Sequence, residues 1–220
     1  MSFLASNVWA SDITIKKGNT ASFTYKVVTP PTTTPVSLIL VKEFLRISAG
    51  DTSQDNVLNL LIKSATDFAE MFTKRDFINR TWETFRNCFE PQFQLRRSPL
   101  DTVNSVEYLL NGSFVPVSAS IFSNTLETDY SFVFRLLDQD WPTDKDDLPQ
   151  SIKIEFVSGF GAADTQVPGK LRTALLQHIT SLYENRGDCP CDSVNSVPGS
   201  ALAVYKQFRI NDISIVPRVF

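Results

Sequence analysis

Between Thr52 and Phe72 the sequence carries one long helical stripe. Val57, Leu58, Leu61, Ile62, Ala65, Phe68, Ala69 and Phe72 recur at three- and four-residue steps, while Lys63, Asp67 and Glu70 turn away. That spacing describes a helix with one buried face, and Thr52, Ser53 and Asp55 are suitable residues to open it. Such a face needs cover from other elements. Two further stripes offer it. Ser37 can cap a short helix carrying Leu38, Val41, Phe44 and Leu45 and ending near Ile47. Leu171, Ala174, Leu175, His178, Ile179, Leu182 and Tyr183 mark another, begun after Pro168 and stopped at Gly187, as helix-end chemistry expects. Three amphipathic helices can bury one another, so a three-helix core is predicted.

The stretch between the second and third stripes has a different period. Thr81 to Phe89, Phe93 to Arg97, Val103 to Leu110, Phe114 to Val117, Tyr130 to Leu137 and Ile152 to Val157 favour strands, and Asn111-Gly112 is a hairpin turn. The fold class is therefore α+β, with a β-rich region inserted into a helical frame. Alternation from Asp12 to Val28 around Lys17-Gly18-Asn19 predicts an N-terminal hairpin carrying Ile13, Ile15, Phe23, Tyr25 and Val27. A lone hairpin is marginal in water, so it must pack on its own core or on a neighbour. Thr29-Pro-Pro-Thr-Thr-Thr-Pro35 reads as a stiff linker. The organisation expected is an extension over residues 1–34, a domain over 35–186, and a tail over 187–220 with a short helix from Ser200 to Gln207 and an apolar end.

In 220 residues, 21 Lys and Arg stand against 24 Asp and Glu, a net charge of -3. That is the wrong sign for a protein whose affinity comes from neutralising phosphates. No apolar run approaches the roughly 20 residues that span a bilayer, and the N-terminus lacks a basic, apolar leader, so no membrane contact is expected. Cys88, Cys189 and Cys191 do not form a disulfide framework. Synthesis in a reducing cytoplasm is expected.

Residues that could carry chemistry have simpler readings. His178 is the one histidine, placed on an apolar helix face where a core role is the ordinary one. Cys189-Pro-Cys191 lacks the spacing of a structural zinc site. Asp138, Asp140, Asp144, Asp146 and Asp147 form an acidic loop without the ligand order or glycine of a calcium loop. Gly159-Phe-Gly161 lacks the third glycine of a dinucleotide fingerprint and reads as a turn before the third helix. Arg80, Arg86, Arg96 and Arg97 among Trp82, Phe85 and Phe93 could bind single strands, although on alternating strands aromatics are expected inward and arginines outward. No catalytic site, cofactor or metal site is predicted.

In order, residues 35–186 resemble the head-to-tail connector, or adaptor, family of long-tailed bacteriophages. The motifs are Pro35-Val-Ser-Leu38 opening a helix that ends Phe44-Leu-Arg-Ile47, then an acidic loop, then the long helix with Asp55 and Ala65. Arg75-Asp-Phe-Ile-Asn-Arg-Thr-Trp82, Leu95-Arg-Arg-Ser-Pro-Leu100 with Val103, Val106 and Tyr108, and Trp141-Pro142 follow. Ile152 to Gly161 and Val167-Pro168 leading to Leu182-Tyr-Glu-Asn-Arg186 complete the series. Lys74 departs from the pattern where the family often has glycine, and the N-terminal hairpin and linker are additions to it.

The resemblance implies a non-enzymatic virion protein of the neck, made in the host bacterial cytoplasm. It implies a homo-oligomeric ring of twelve copies on the portal protein, extending the DNA channel and offering a surface to a stopper or tail-completion protein. Tyr205, Phe208, Arg209, Arg218, Val219 and Phe220 are the expected portal-docking residues of the tail. The hairpin residues are the expected contact with a neighbouring subunit or neck protein, and the acidic loop is a candidate channel lining. The alternatives are a β-rich module binding glycans or proteins on a virion or cell surface, through Trp82 or Trp141, and a small enzyme using Cys189 or Cys191 with His178.

Overall fold

The structure is a computed structural model describing residues 24–125, 129, 131–185 and 197–210. Helix α2 (Asp55–Thr73) is the long stripe. Its Leu58, Ile62, Ala65 and Ala69 are fully buried, whereas Val57, grouped with them by sequence, faces out. Helix α1 (Leu38–Phe44) is capped by the Ser37 side chain, which accepts from the Leu40 N–H at 3.2 Å. Buried Lys42 ties the loop from α1 to α2: its ammonium donates to the Asp51 carbonyl at 2.8 Å and pairs with Asp55 at 2.5 Å.

Helix α3 (Gly169–Glu184) follows Pro168, and α4 (Gly199–Phe208) follows Pro198. Ala201 and Tyr205 of α4 are fully buried in the same core as α2 and α3. The helical core thus contains four helices among the described residues. The tail helix expected to stand outside the core is part of it, because its Ala201–Tyr205 spacing supplies a helical face of its own.

Eight strands form two antiparallel sheets among the described residues. The larger has the order β1 (Thr24–Thr29), β2 (Arg80–Arg86), β8 (Ile152–Ser158), β4 (Leu100–Leu110) and β5 (Ser113–Pro116). The smaller has the order β3 (Gln92–Leu95), β7 (Ser131–Arg135) and β6 (Phe122–Asn124). Together they enclose a second core of Trp82, Phe93, Leu95, Val106, Val133, Ile152, Ile154 and Phe156. Asn111 (φ 50°) and Gly112 (φ 79°) turn β4 into β5 with positive φ at both positions, as a two-residue hairpin requires.

Of the expected N-terminal hairpin, the described part is its second strand, which packs on the chain's own core. Thr24–Thr29 lies against β2, with Tyr25 opposite Thr84 and Val27 opposite Trp82. Ile13, Ile15 and Phe23 lie outside the described residues. Tyr25 contacts Trp82 and Phe156 edge-on at ring-centroid distances of 6.3 and 6.4 Å, and its hydroxyl oxygen accepts from the Arg96 N–H at 2.9 Å. This strand is therefore part of the main sheet. After Thr29 the Thr-Pro linker has no regular structure, and Thr33 Oγ1 donates to the Ala162 carbonyl at 2.9 Å.

The two cores meet where α2 ends. Lys74 adopts the left-handed conformation (φ 60°) that terminates the helix, the backbone state for which glycine is the usual choice. Arg75 to Asn79 then lead into β2, whose first residue, Arg80, pairs with the last residue of β8, Ser158.

Candidate functional site

The densest set of charged side chains lies in that seam. Glu70 projects from the last turn of α2 and is 5% exposed. Its carboxylate accepts from the Phe77 N–H at 2.8 Å and takes two contacts from Arg80 Nη2 at 2.7 and 2.6 Å. Asp76 is fully buried and accepts from Trp82 Nε1 at 2.8 Å and from the Ser158 hydroxyl. Arg80 Nε and Arg97 Nη1 approach the same carboxylate at 3.6 and 3.8 Å. The Arg97 guanidinium lies 4.4 Å from the Trp82 ring centroid, within cation–π range.

Burial raises the pKa of both carboxyls. Glu70 is pushed up to about 7 by loss of water, against the opposing pull of Arg80 and the Phe77 N–H. Asp76 moves in the same direction for the same reason, opposed first by Arg80 and then by its hydrogen bonds and Arg97. Chemically the arrangement is a joint: two desolvated carboxylates and two arginines lock the end of α2 onto β2, β8 and the segment after β3. At its mouth is an open depression of about 450 Å³, lined by residues that include Tyr25, Lys74, Arg96 and Arg97.

Sequence reasoning grouped part of this set but gave it the wrong geometry. Arg80, Trp82, Thr84 and Arg86 share one parity on β2, and Trp82, Thr84 and Arg86 are buried, while Phe85 is on the other face. Arginines and Trp82 therefore point the same way. The buried Arg86 donates to the Gln94 carbonyl at 2.9 Å. Glu70, which the helical period places on the solvent side of α2, is buried, as is Asp76. The available signal was the Glu70–Asp76–Arg80 charge order around a helix end.

The other expected site residues scatter. Tyr205 is fully buried, with its hydroxyl 3.5 Å from His178 Nδ1 and its ring beside Phe68 and His178. Burial pushes the Tyr205 hydroxyl up and the His178 imidazole down. Phe208 packs on the same core, and Arg209 lies 5.1 Å from the Phe72 ring centroid. Tyr205 is thus unavailable as a docking anchor. Arg218, Val219 and Phe220 lie outside the described residues, as do Cys189 and Cys191. Val27 is exposed on β1.

The acidic loop is held at several points. Asp146 accepts from the Asn111 and Gly112 N–H groups at 3.1 and 2.9 Å, so it caps the β4–β5 turn. Asp140 pairs with Arg135 at 2.8 Å and Asp147 with Lys145 at 4.0 Å. Asp144 faces the Tyr108 hydroxyl, whose pKa is raised by burial and then by that carboxylate. Asp138 has a positive φ of 59° and is exposed. Trp141 stacks on Phe89 at 4.8 Å and donates to the Glu90 carbonyl at 2.9 Å. Among the described residues, no group of three or more His, Cys, Asp or Glu is placed to hold a metal ion. No described helix is long and apolar enough to cross a membrane.

The family described as "Phage gp6-like head-tail connector protein" matches residues 36–108, from the approach to α1 into β4. No curated protein matches the chain. Among solved structures, a chain in the neck of an empty GTA particle computed with C6 symmetry aligns with a TM-score of 0.72 at 19% identity, covering 86% of this chain and 97% of that one. A chain of the virion of a native gene transfer agent (GTA) particle gives 0.69 at 20% identity, covering 86% and 96%. One in the neck of a native GTA particle computed with C12 symmetry gives 0.64 at 20% identity, covering 86% and 97%. At those identities the likeness is one of fold. Residues 36–108 carry the sequence pattern of the head-tail connector family, and across that stretch the resemblance in the order of motifs is borne out.

Proposed function

We propose that the chain is a structural protein of a virion neck, a head-tail connector whose copies form a ring between the portal and the stopper or tail-completion proteins. The observation that carries this reading is the family match across α1, α2 and the strands to β4. The shared fold with chains from particle necks computed with C6 and C12 symmetry supports it, and twelve copies would match a twelvefold portal. Double-stranded DNA would pass through the ring. Exposed Asp138, Asp140 and Asp147 are suited to a wall that DNA crosses without sticking, since like charge opposes phosphate contact.

The glycan-binding alternative loses its main residues. Trp82 is 6% exposed and bonded to Asp76, and Trp141 stacks on Phe89. The thiol-enzyme alternative would need His178, which is 2% exposed in the helical core.

Quantitative mass spectrometry of purified particles from the source tests the proposal. Copy numbers near those of the portal protein are expected. Absence from particles, or a ratio far from one, would remove the ring from the account.

A further inference from the structure

The outer face of helix α2 carries two large exposed apolar side chains. Leu60 and Met71 are 66% and 75% exposed. With Lys63, Ser64, Asp67 and Phe68 they line an open groove of about 430 Å³. Leu60, Ser64, Asp67 and Met71 are three or four residues apart, so they lie in one row along the helix.

The described chain ends at the C-terminal turn of α2, where Arg209 lies over the Phe72 ring, which stacks on the groove residue Phe68. The Ile210 N–H donates to the Thr73 carbonyl at 3.0 Å, at the last turn of α2. Residues 211–220 follow. Ten extended residues reach about 33 Å, whereas α2 covers about 20 Å from Thr73 back to Leu60. In their sequence, Ile213, Ile215, Pro217 and Val219 alternate with Asp212, Ser214, Val216 and Arg218. In an extended chain, alternate residues share a side, giving one side that is apolar from Ile213 to Val219 and another that carries Asp212, Ser214 and Arg218 beside Val216 and Phe220. Tethering at Ile210 supplies the segment at an effective concentration in the millimolar range.

We propose that the groove along the outer face of α2 is the docking surface for residues 211–220 of the same chain, with Ile213, Ile215 and Val219 set against Leu60, Phe68 and Met71. This interaction is independent of the neck assignment.

Met71 and Met1 are the two methionines of the chain, so methyl-13C-methionine NMR of the full-length protein gives two signals, of which the Met71 signal reports on the groove. Removing residues 211–220 is expected to shift the Met71 methyl signal. The full-length double variant Ile213→Asp/Ile215→Asp is expected to shift it the same way, at every protein concentration. A Met71 signal unmoved by both changes would overturn the proposal and leave the segment to another partner, such as a portal protein. A signal restored by adding unlabelled full-length chain to labelled truncated chain would overturn it in favour of docking between copies.

Discussion

Glu70 is the residue whose ionisation has the clearest consequence for stability. Its pKa is raised from 4.5 to about 7 by burial in the folded chain. A carboxyl that holds its proton more tightly when folded adds stability at low pH, and this is lost as pH rises from the unfolded value through the folded one. A shift of that size corresponds to about 3 kcal/mol over the window, and the buried Asp76, shifted in the same direction, adds to the trend. Urea unfolding at the two ends of the window should show the protein more stable at the acidic end. Glu70→Gln removes one titrating group while preserving shape, so its pH dependence should be shallower. A wild-type stability that is flat across the window would mean that Arg80 keeps Glu70 ionised throughout.

Elements were legible wherever periodicity defined them. The stripes of α1, α2 and α3, the Ser200–Gln207 helix and most strands fall within a few residues of expectation, because a buried face imposes its period on the sequence. Pairing was less legible. Alternation in Thr24–Thr29 indicates a strand but does not name its partner, and β2 supplies that partner from more than fifty residues away. Strand β6 is three residues long, too short for a period to register. The parity of Arg80, Trp82 and Arg86 was legible in principle, since even positions of one strand share a face, but the expectation that arginines face water hid it. Gly159–Gly161 forms the turn that leads out of β8 toward α3, as the sequence predicts. Gly159 has φ 147°, and a Cβ there would meet the Asn79 backbone nitrogen at 2.5 Å. Gly159→Ala should therefore destabilise the protein by on the order of 2–3 kcal/mol. Gly199→Ala, at the start of α4 with open space around the added methyl, is the control expected to leave the urea midpoint nearly unchanged. Equal midpoints for the two variants would show that the turn after β8 relaxes freely.

At the scale of the molecule, the charged seam was missed because it joins residues from α2, the α2–β2 connection, β2, β8 and the segment after β3, and no local pattern marks such an assembly. The same long-range logic moves the inner limit of the N-terminal extension. A boundary at residue 34 would remove β1, and with it Tyr25 from between Trp82 and Phe156, the hydroxyl that accepts from Arg96, and the strand covering the outer edge of β2. A boundary after residue 23 leaves all of these in place. Deleting 1–34 should therefore lower stability relative to deleting 1–23 by about 2 kcal/mol, below the cost of removing a fully buried aromatic side chain because Tyr25 is half-buried. Urea unfolding of the two truncated chains measures the difference, and equal midpoints would show that β1 contributes nothing to the sheet. The comparison also decides how assembly is to be tested. Particles lost only with the longer deletion would report a damaged fold with an uncovered strand edge, whereas particles lost with the 1–23 deletion, in a chain that still unfolds normally, would place a neck contact in the N-terminal segment itself.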